Sequence, residues 1–227
     1  MEYAPNSLRG NTPPVVLNLL IINGLVFLAG LIPAFAHYIE LYFPLRYPLL
    51  WSWPDEILDY YGFNHTLAKI PFQFITHMFT HGDFFHLLFN MFALWMFGSV
   101  VESIWKSKKF LIYYLVCGLG AAGIYLASLY FTDSPRAAAM VGASGALYGV
   151  LIAYGIMFPN NVIYINFFFP LKAKWWVVIL IGMDLFSAFA NRPGDNVAHF
   201  AHIGGALTGF ILLMYSKKKG QLYWKNF

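Results

Sequence analysis

Long apolar runs separated by short polar stretches dominate this chain. They cover roughly residues 14–35, 84–104, 110–131, 142–158, 175–190 and 197–215. A helix that crosses the hydrocarbon of a bilayer needs about 20 mostly apolar residues, so the pattern predicts six transmembrane helices. The fourth and fifth runs are short, which predicts helices that start or end below the membrane surface. The run 161–170 is apolar but too short to span and is expected to lie along the inner interface. Residues 36–83 form a long connection carrying Tyr42, Phe43, Pro44, Trp51, Trp53 and Pro54. Disorder goes with low hydrophobicity, and Trp and Tyr favour the headgroup region. A folded interfacial loop with short helices is therefore expected. The first run follows Pro13-Pro14, has only Arg9 before it and lacks a clear cleavage site, so it reads as a retained helix.

Composition strengthens this picture. The 227 residues are 59% hydrophobic and only 11% charged, against about 25% charged in soluble domains. The chain is thus expected to be an integral membrane protein forming a single domain over 1–227. Its net charge of +4 does not call for nucleic acid, because the lysines sit between or after apolar runs. Lys106, Lys108, Lys109, Lys172, Lys174, Lys217, Lys218, Lys219 and Lys225 are nine of the ten lysines, and a six-span path puts all nine on one side. By the positive-inside rule that side is cytoplasmic, with both termini there. An odd number of spans would destroy the segregation. Cys117, the only cysteine, lies in an apolar run, which gives no disulfide framework and no thiolate cluster.

Candidate chemistry is concentrated in three runs. Ser144 sits in Gly142-Ala143-Ser144-Gly145 at the start of the fourth. A serine hydroxyl needs an adjacent base to become a nucleophile. Gly142 and Gly145 give backbone access, and the free N–H groups of a helix start could hold an oxyanion. Taken alone, the same residues also describe a small-residue packing motif. His202 lies at matching depth in the sixth run, with Gly205 and Gly209 on its helical face. Gly205-x-x-x-Gly209 permits close approach of another helix, so His202 is expected to reach Ser144. His199 is the rival base, ranked second because it lies nearer the surface and lacks that spacing. Tyr148, one turn below Ser144, is placed to pack against the imidazole.

In the second run, His86 and Asn90 are four apart and share a face. Donors aimed at a developing oxyanion are worth about 2.7–4 kcal/mol each, whereas a helix–helix hydrogen bond in a bilayer is worth around 0.6 kcal/mol. His77, His81 and His86 imitate a metal site, but no HExxH is present, and loop-bracing hydrogen bonds are the favoured reading. Asp184 stands in the fifth run, where a carboxylate is expensive. It is expected to pair with a neighbouring helix. No metal and no cofactor are expected.

As an ordered set these motifs resemble the rhomboid family of intramembrane serine proteases, along nearly all of the chain. His86-x-x-x-Asn90 resembles the family's oxyanion motif, Gly142-x-Ser144-Gly145 its nucleophile turn, and Ala201-His202-x-Gly204-Gly205 its base motif. Glu102 resembles the acidic residue ending the second helix, and Tyr148 the aromatic beneath the base. Phe72-Gln73 stands where many members carry Trp-Arg. The resemblance implies an all-α, six-helix membrane bundle of the basic bacterial form, in a bacterial inner membrane, with its site opening to the outer face. It implies cleavage in or near the transmembrane helices of other membrane proteins. Ser144 and His202 would act as a dyad, since no carboxylate is evident as a third member. His86, Asn90 and the Ser144 N–H would hold the oxyanion. The loop 191–196 is placed to cap the site. A pseudoprotease that escorts membrane proteins is the alternative; such members typically lack the serine or histidine. A histidine-relay transporter would show inverted repeats, which the sequence lacks.

Overall fold

The computed structural model describes residues 11–45, 72–131, 139–165, 168–190 and 199–218. Helix α1 (Pro14–Gly30) is followed by α2 (Pro33–Tyr42), and the two are bent by 113° at the break. The apolar run 14–35 is therefore not one straight helix. Pro33 explains the break: its ring disfavours helical backbone at the preceding residue, and Ile32 is extended with φ −93° and ψ 119°. The run then comprises α3 (Gln73–Thr76), a 3₁₀ turn (His77–Phe79), α4 (Phe84–Ala93), a π segment (Leu94–Gly98), α5 (Ser99–Trp105) and α6 (Ser107–Phe131). It ends with α7 (Ser144–Met157), α8 (Ala173–Ala190) and α9 (His199–Lys218).

Phe84–Trp105 and Ser107–Phe131 are the two described helices long and apolar enough to cross a membrane, and the bent α1–α2 pair is a third candidate. Side chains such as Phe85, Phe89, Phe186 and Phe189 are 65–73% exposed on α4 and α8. Faces of that kind are a liability in water and the ordinary surface of a helix in lipid. The chain is an integral membrane protein and mostly helical.

It is not purely α. Val162–Ile165 (β1) and Phe169–Lys172 (β2) pair antiparallel, with Val162 opposite Lys172 and Tyr164 opposite Pro170. β-branched and aromatic residues favour this extended pairing, so the segment too short to span becomes a hairpin. In the long first connection, α2 and α3 are short helices, and Leu45 forms a two-way backbone bridge to Met140, each N–H donating at 2.9 Å. Residues 46–71, with Trp51, Trp53 and Pro54, lie outside the described residues.

Helices α6, α7 and α9 make the centre. In lipid there is no hydrophobic drive between helices, so close backbone packing has to hold them. A methyl group on Gly209 would fall 2.8 Å from Gly149 Cα, and one on Gly205 would overlap the Gly145 carbonyl. Gly145-x-x-x-Gly149 thus faces Gly205-x-x-x-Gly209. The Tyr113 hydroxyl of α6 donates to Gly149 O at 2.8 Å, and Cys117 is buried against Gly149. At the other end, Glu102 is 2% exposed. Its carboxylate accepts from Val15 N (3.0 Å), Val16 N (2.7 Å) and the Ser107 hydroxyl (2.8 Å). It satisfies N–H groups that the start of α1 leaves open.

Two glycine substitutions test the packing. Gly205→Ala is expected to lower the melting temperature in detergent, overpacking costing about 1–3 kcal/mol. Gly182→Ala in α8 has nothing within 4 Å of the added methyl and is expected to raise it slightly, Ala being better than Gly in a helix by about 0.8–1.0 kcal/mol. Equal melting of the two variants would contradict the α7–α9 contact.

Candidate active site

Ser144 is the first residue of α7, held by a turn whose geometry demands glycine. Gly142 has φ +111°, a conformation that L side chains rarely adopt. A side chain there would also meet His86 Nε2 at 2.7 Å. The Gly142 N–H donates to His77 O at 2.8 Å, tying the turn to the 3₁₀ segment. The N–H groups of Ser144, Gly145 and Ala146 open the helix and have no partner within it.

His202 occupies the first turn of α9. Its Nε2 lies 2.8 Å from Ser144 Oγ, and its ring stacks on Tyr148, centroids 4.4 Å apart and 7° from parallel. Both residues are only partly buried. The structure brings Ser144, His202 and Tyr148 together, with Gly142 in the turn before the serine and Gly145 against Gly205; Gly209 lies further along α9, against Gly149 and Tyr113.

One group was not anticipated. Sequence alone named no carboxylate for the pair, yet Asp184 of α8, 6% exposed, sits behind the imidazole. Its Oδ1 lies 3.0 Å from His202 Nδ1 and 2.6 Å from His199 Nδ1, and its Oδ2 accepts from the Tyr148 hydroxyl. A carboxylate only accepts, so both Nδ1 atoms carry protons and His202 Nε2 is left to accept from Ser144. The network assigns this tautomer. The signal in the sequence was the cost of a carboxylate in an apolar helix; its partner could not be read from spacing. His199, the rival base, is engaged with Asp184, while Ser144 is paired with His202.

On α4, Asp83 caps the helix by accepting from His86 N at 2.9 Å. The Gly82 N–H donates a long 3.5 Å bond to His86 Nδ1, which leaves the Nε2 proton on the side of Gly142. Asn90 donates to His86 O of its own helix at 2.8 Å, so one of its two amide hydrogens is spent locally. His77, His81 and His86 do not share a common centre through their described bonds. His77 Nδ1 bonds to Gln73 O at 2.9 Å, and His81 meets His86 edge-on at 5.0 Å. Among the described residues, the carboxylate–histidine group with metal-like spacing is Asp184, His199 and His202, whose ligating atoms lie within 4.8 Å. The hydrogen bonds among these three account for that spacing. The loop 191–196 lies outside the described residues.

A helical membrane protein with a paired serine and histidine at one end of its bundle is the class this geometry defines. Comparison with known proteins is specific. A Rhomboid domain model matches residues 69–219. "Rhomboid protein 1, mitochondrial" of Saccharomyces cerevisiae is 30% identical over 158 residues, 68% of this chain and 44% of that protein. "RHOMBOID-like protein 5" of Arabidopsis thaliana is 34% identical over 144 residues, 63% of this chain and 44% of that protein. "Presenilin-associated rhomboid-like protein, mitochondrial" of Bos taurus is 28% identical over 182 residues, covering 78% and 46%. This chain belongs to the rhomboid family. The matches span less than half the length of these relatives. All three are eukaryotic and two are named mitochondrial, so they lend no support to a bacterial inner membrane.

Burial also sets a pH dependence outside the spans. It pushes the His77 imidazole from 6.5 down to about 4, against the opposing pull of backbone bonds at Gln73 and Phe74. It pushes His81 down to about 3, with His86 nearby adding to the effect. The fold therefore holds both rings neutral, while the unfolded chain protonates them near 6.5. The stability they confer is complete above that value and declines as pH falls toward about 4 and then about 3. Melting temperature measured against pH should fall across that window, and His77→Asn should make the decline shallower. An unchanged slope in the variant would contradict this.

Proposed function

We propose that this chain is an intramembrane serine endopeptidase that cuts peptide bonds in or near transmembrane segments of other membrane proteins. The observation that carries the reading is the 2.8 Å contact between Ser144 Oγ and His202 Nε2. His202 takes the hydroxyl proton as Ser144 Oγ attacks the scissile carbonyl carbon. The oxyanion forms beside the free N–H groups opening α7, with the Nε2–H of His86 and the second amide hydrogen of Asn90 as further donors. His202 then protonates the leaving amine, and water, activated by the same imidazole, releases the acyl group from Ser144.

Six spans, with both termini on the lysine-rich side, put the site at the opposite face of the bilayer. A helical substrate hides its peptide bonds, so substrates with helix-breaking residues near that face are expected. No cofactor enters these steps. The escort reading keeps the family's fold but needs no hydroxyl–imidazole pair, and the intact pair favours the enzyme.

Ser144→Ala is expected to leave expression and melting unchanged and to lower cleavage of single-span substrates at least about 10³-fold; removal of a serine hydrolase nucleophile costs up to about 10⁶. Wild-type labelling by a fluorophosphonate should vanish in the same variant. Undiminished cleavage by Ser144→Ala would sink the assignment, and capture without cleavage across a substrate panel would favour the escort.

His86→Ala tests the oxyanion donor. It should retain fluorophosphonate labelling while turnover falls about 10²–10³-fold. Turnover equal to wild type would remove His86 from the site's chemistry.

A further inference from the structure

We infer that Asp184 is a positioning residue for His202, so that the reaction centre is a Ser144–His202–Asp184 relay and not a two-residue pair. This deepens the protease reading and rests on it. A carboxylate inside an apolar helix needs compensation, and Asp184 receives three donors: His202 Nδ1, His199 Nδ1 and the Tyr148 hydroxyl. Two of them bear on the base. Asp184 holds the imidazole by its edge, at Nδ1, while Tyr148 holds it by its face. Tyr148 is itself fixed by Asp184 Oδ2. One carboxylate thereby sets the tautomer, the ring plane and the direction of Nε2 toward Ser144.

It also sits where charge develops. When the Ser144 proton moves to His202 Nε2 and the Oγ–carbon bond forms, His202 becomes an imidazolium whose Nδ1, 3.0 Å from Asp184 Oδ1, directs its proton at the carboxylate. Asp184 remains a carboxylate throughout. The Nε2 proton leaves with the amine as the C–N bond breaks, restoring the neutral ring. His199 shares Oδ1 from the side and completes the bonding of an oxygen withdrawn from water.

The test is the rate at which a fluorophosphonate acylates Ser144 in the purified full chain, followed against pH. The groups that face His202 are Asp184 from α8, Ser144 and Tyr148 from α7, His199 on its own helix and, electrostatically, His86 from α4. Asp184→Asn should slow acylation by up to about 10⁴-fold, the loss in turnover that the same change causes in the serine protease triad. Its acid limb should move to lower pH, because the imidazolium has lost its counter-charge. A structural role alone would reduce the folded fraction and leave the limb in place. A wild-type rate, or a slower rate with an unmoved limb, would overturn the inference. If Asp184→Asn does not fold, ¹⁵N-histidine NMR of the wild type decides: a protonated Nδ1 and bare Nε2 on His202 support the relay, and the opposite tautomer refutes it. Failure of wild-type Ser144 to label would count against the protease reading itself, and the tautomer would still decide the part played by Asp184.

Discussion

The site depends on how closely α9 lies on α7. Hydrogen bonds keep their heavy atoms within about 3.2 Å, so the 2.8 Å contact between His202 and Ser144 leaves little room for the axes to part. Two pairs of glycines, Gly145 with Gly149 and Gly205 with Gly209, remove side chains where the helices cross. Any larger residue at Gly205 would push the backbone away from the Gly145 carbonyl, and the imidazole would move with it. Tyr113 fastens the same crossing from α6 through Gly149 O. Packing that holds the bundle together is thus the same packing that forms the Ser144–His202 pair.

The two carboxylates of the long apolar runs solve one problem in different ways. Glu102 is compensated by the backbone amides of α1 and by Ser107, and it fixes where α1 begins. Asp184 is compensated by side chains that can change protonation. Only the second arrangement bears on proton transfer, since amide donors cannot respond to charge on a neighbouring ring by losing or gaining a proton. A buried carboxylate surrounded by imidazole and phenol is also intolerant of losing a partner, because an uncompensated buried charge is costly.

Much of this was legible in the sequence, and the gaps have physical causes. Apolar runs marked the helices from Phe84, Ser107, Ser144 and His199 to within a few residues, and the Gly205-x-x-x-Gly209 face correctly pointed His202 at Ser144. The break before Pro33 was also written in the chain, but a reading by hydropathy alone runs through it. The hairpin at Val162–Ile165 was hidden because a four-residue apolar run has no period long enough to separate strand from helix. Asp184 carried a cost without a partner: its contact with His202 crosses between helices and depends on the rotation of α8, which no local spacing encodes. The reciprocal Gly145-x-x-x-Gly149 face was visible but acquires meaning only beside its partner.

Helix ends explain why such polar chemistry is compatible with lipid. Ser144 is the first residue of α7, His86 the third of α4 and His202 the fourth of α9. Side chains lean toward the N-terminus of their helix, so all three project toward one end of the bundle while their backbones remain anchored in the apolar part. The same ends present unpaired N–H groups and the positive side of the helix dipole. Negative charge arising on a substrate carbonyl would meet them there, without a charged side chain having to be held in the hydrocarbon. Placing the serine at the first helical position, with a left-handed glycine two residues before it, would therefore serve two needs of the proposed protease at once: exposing the nucleophile and aiming the amides at the atom that becomes charged.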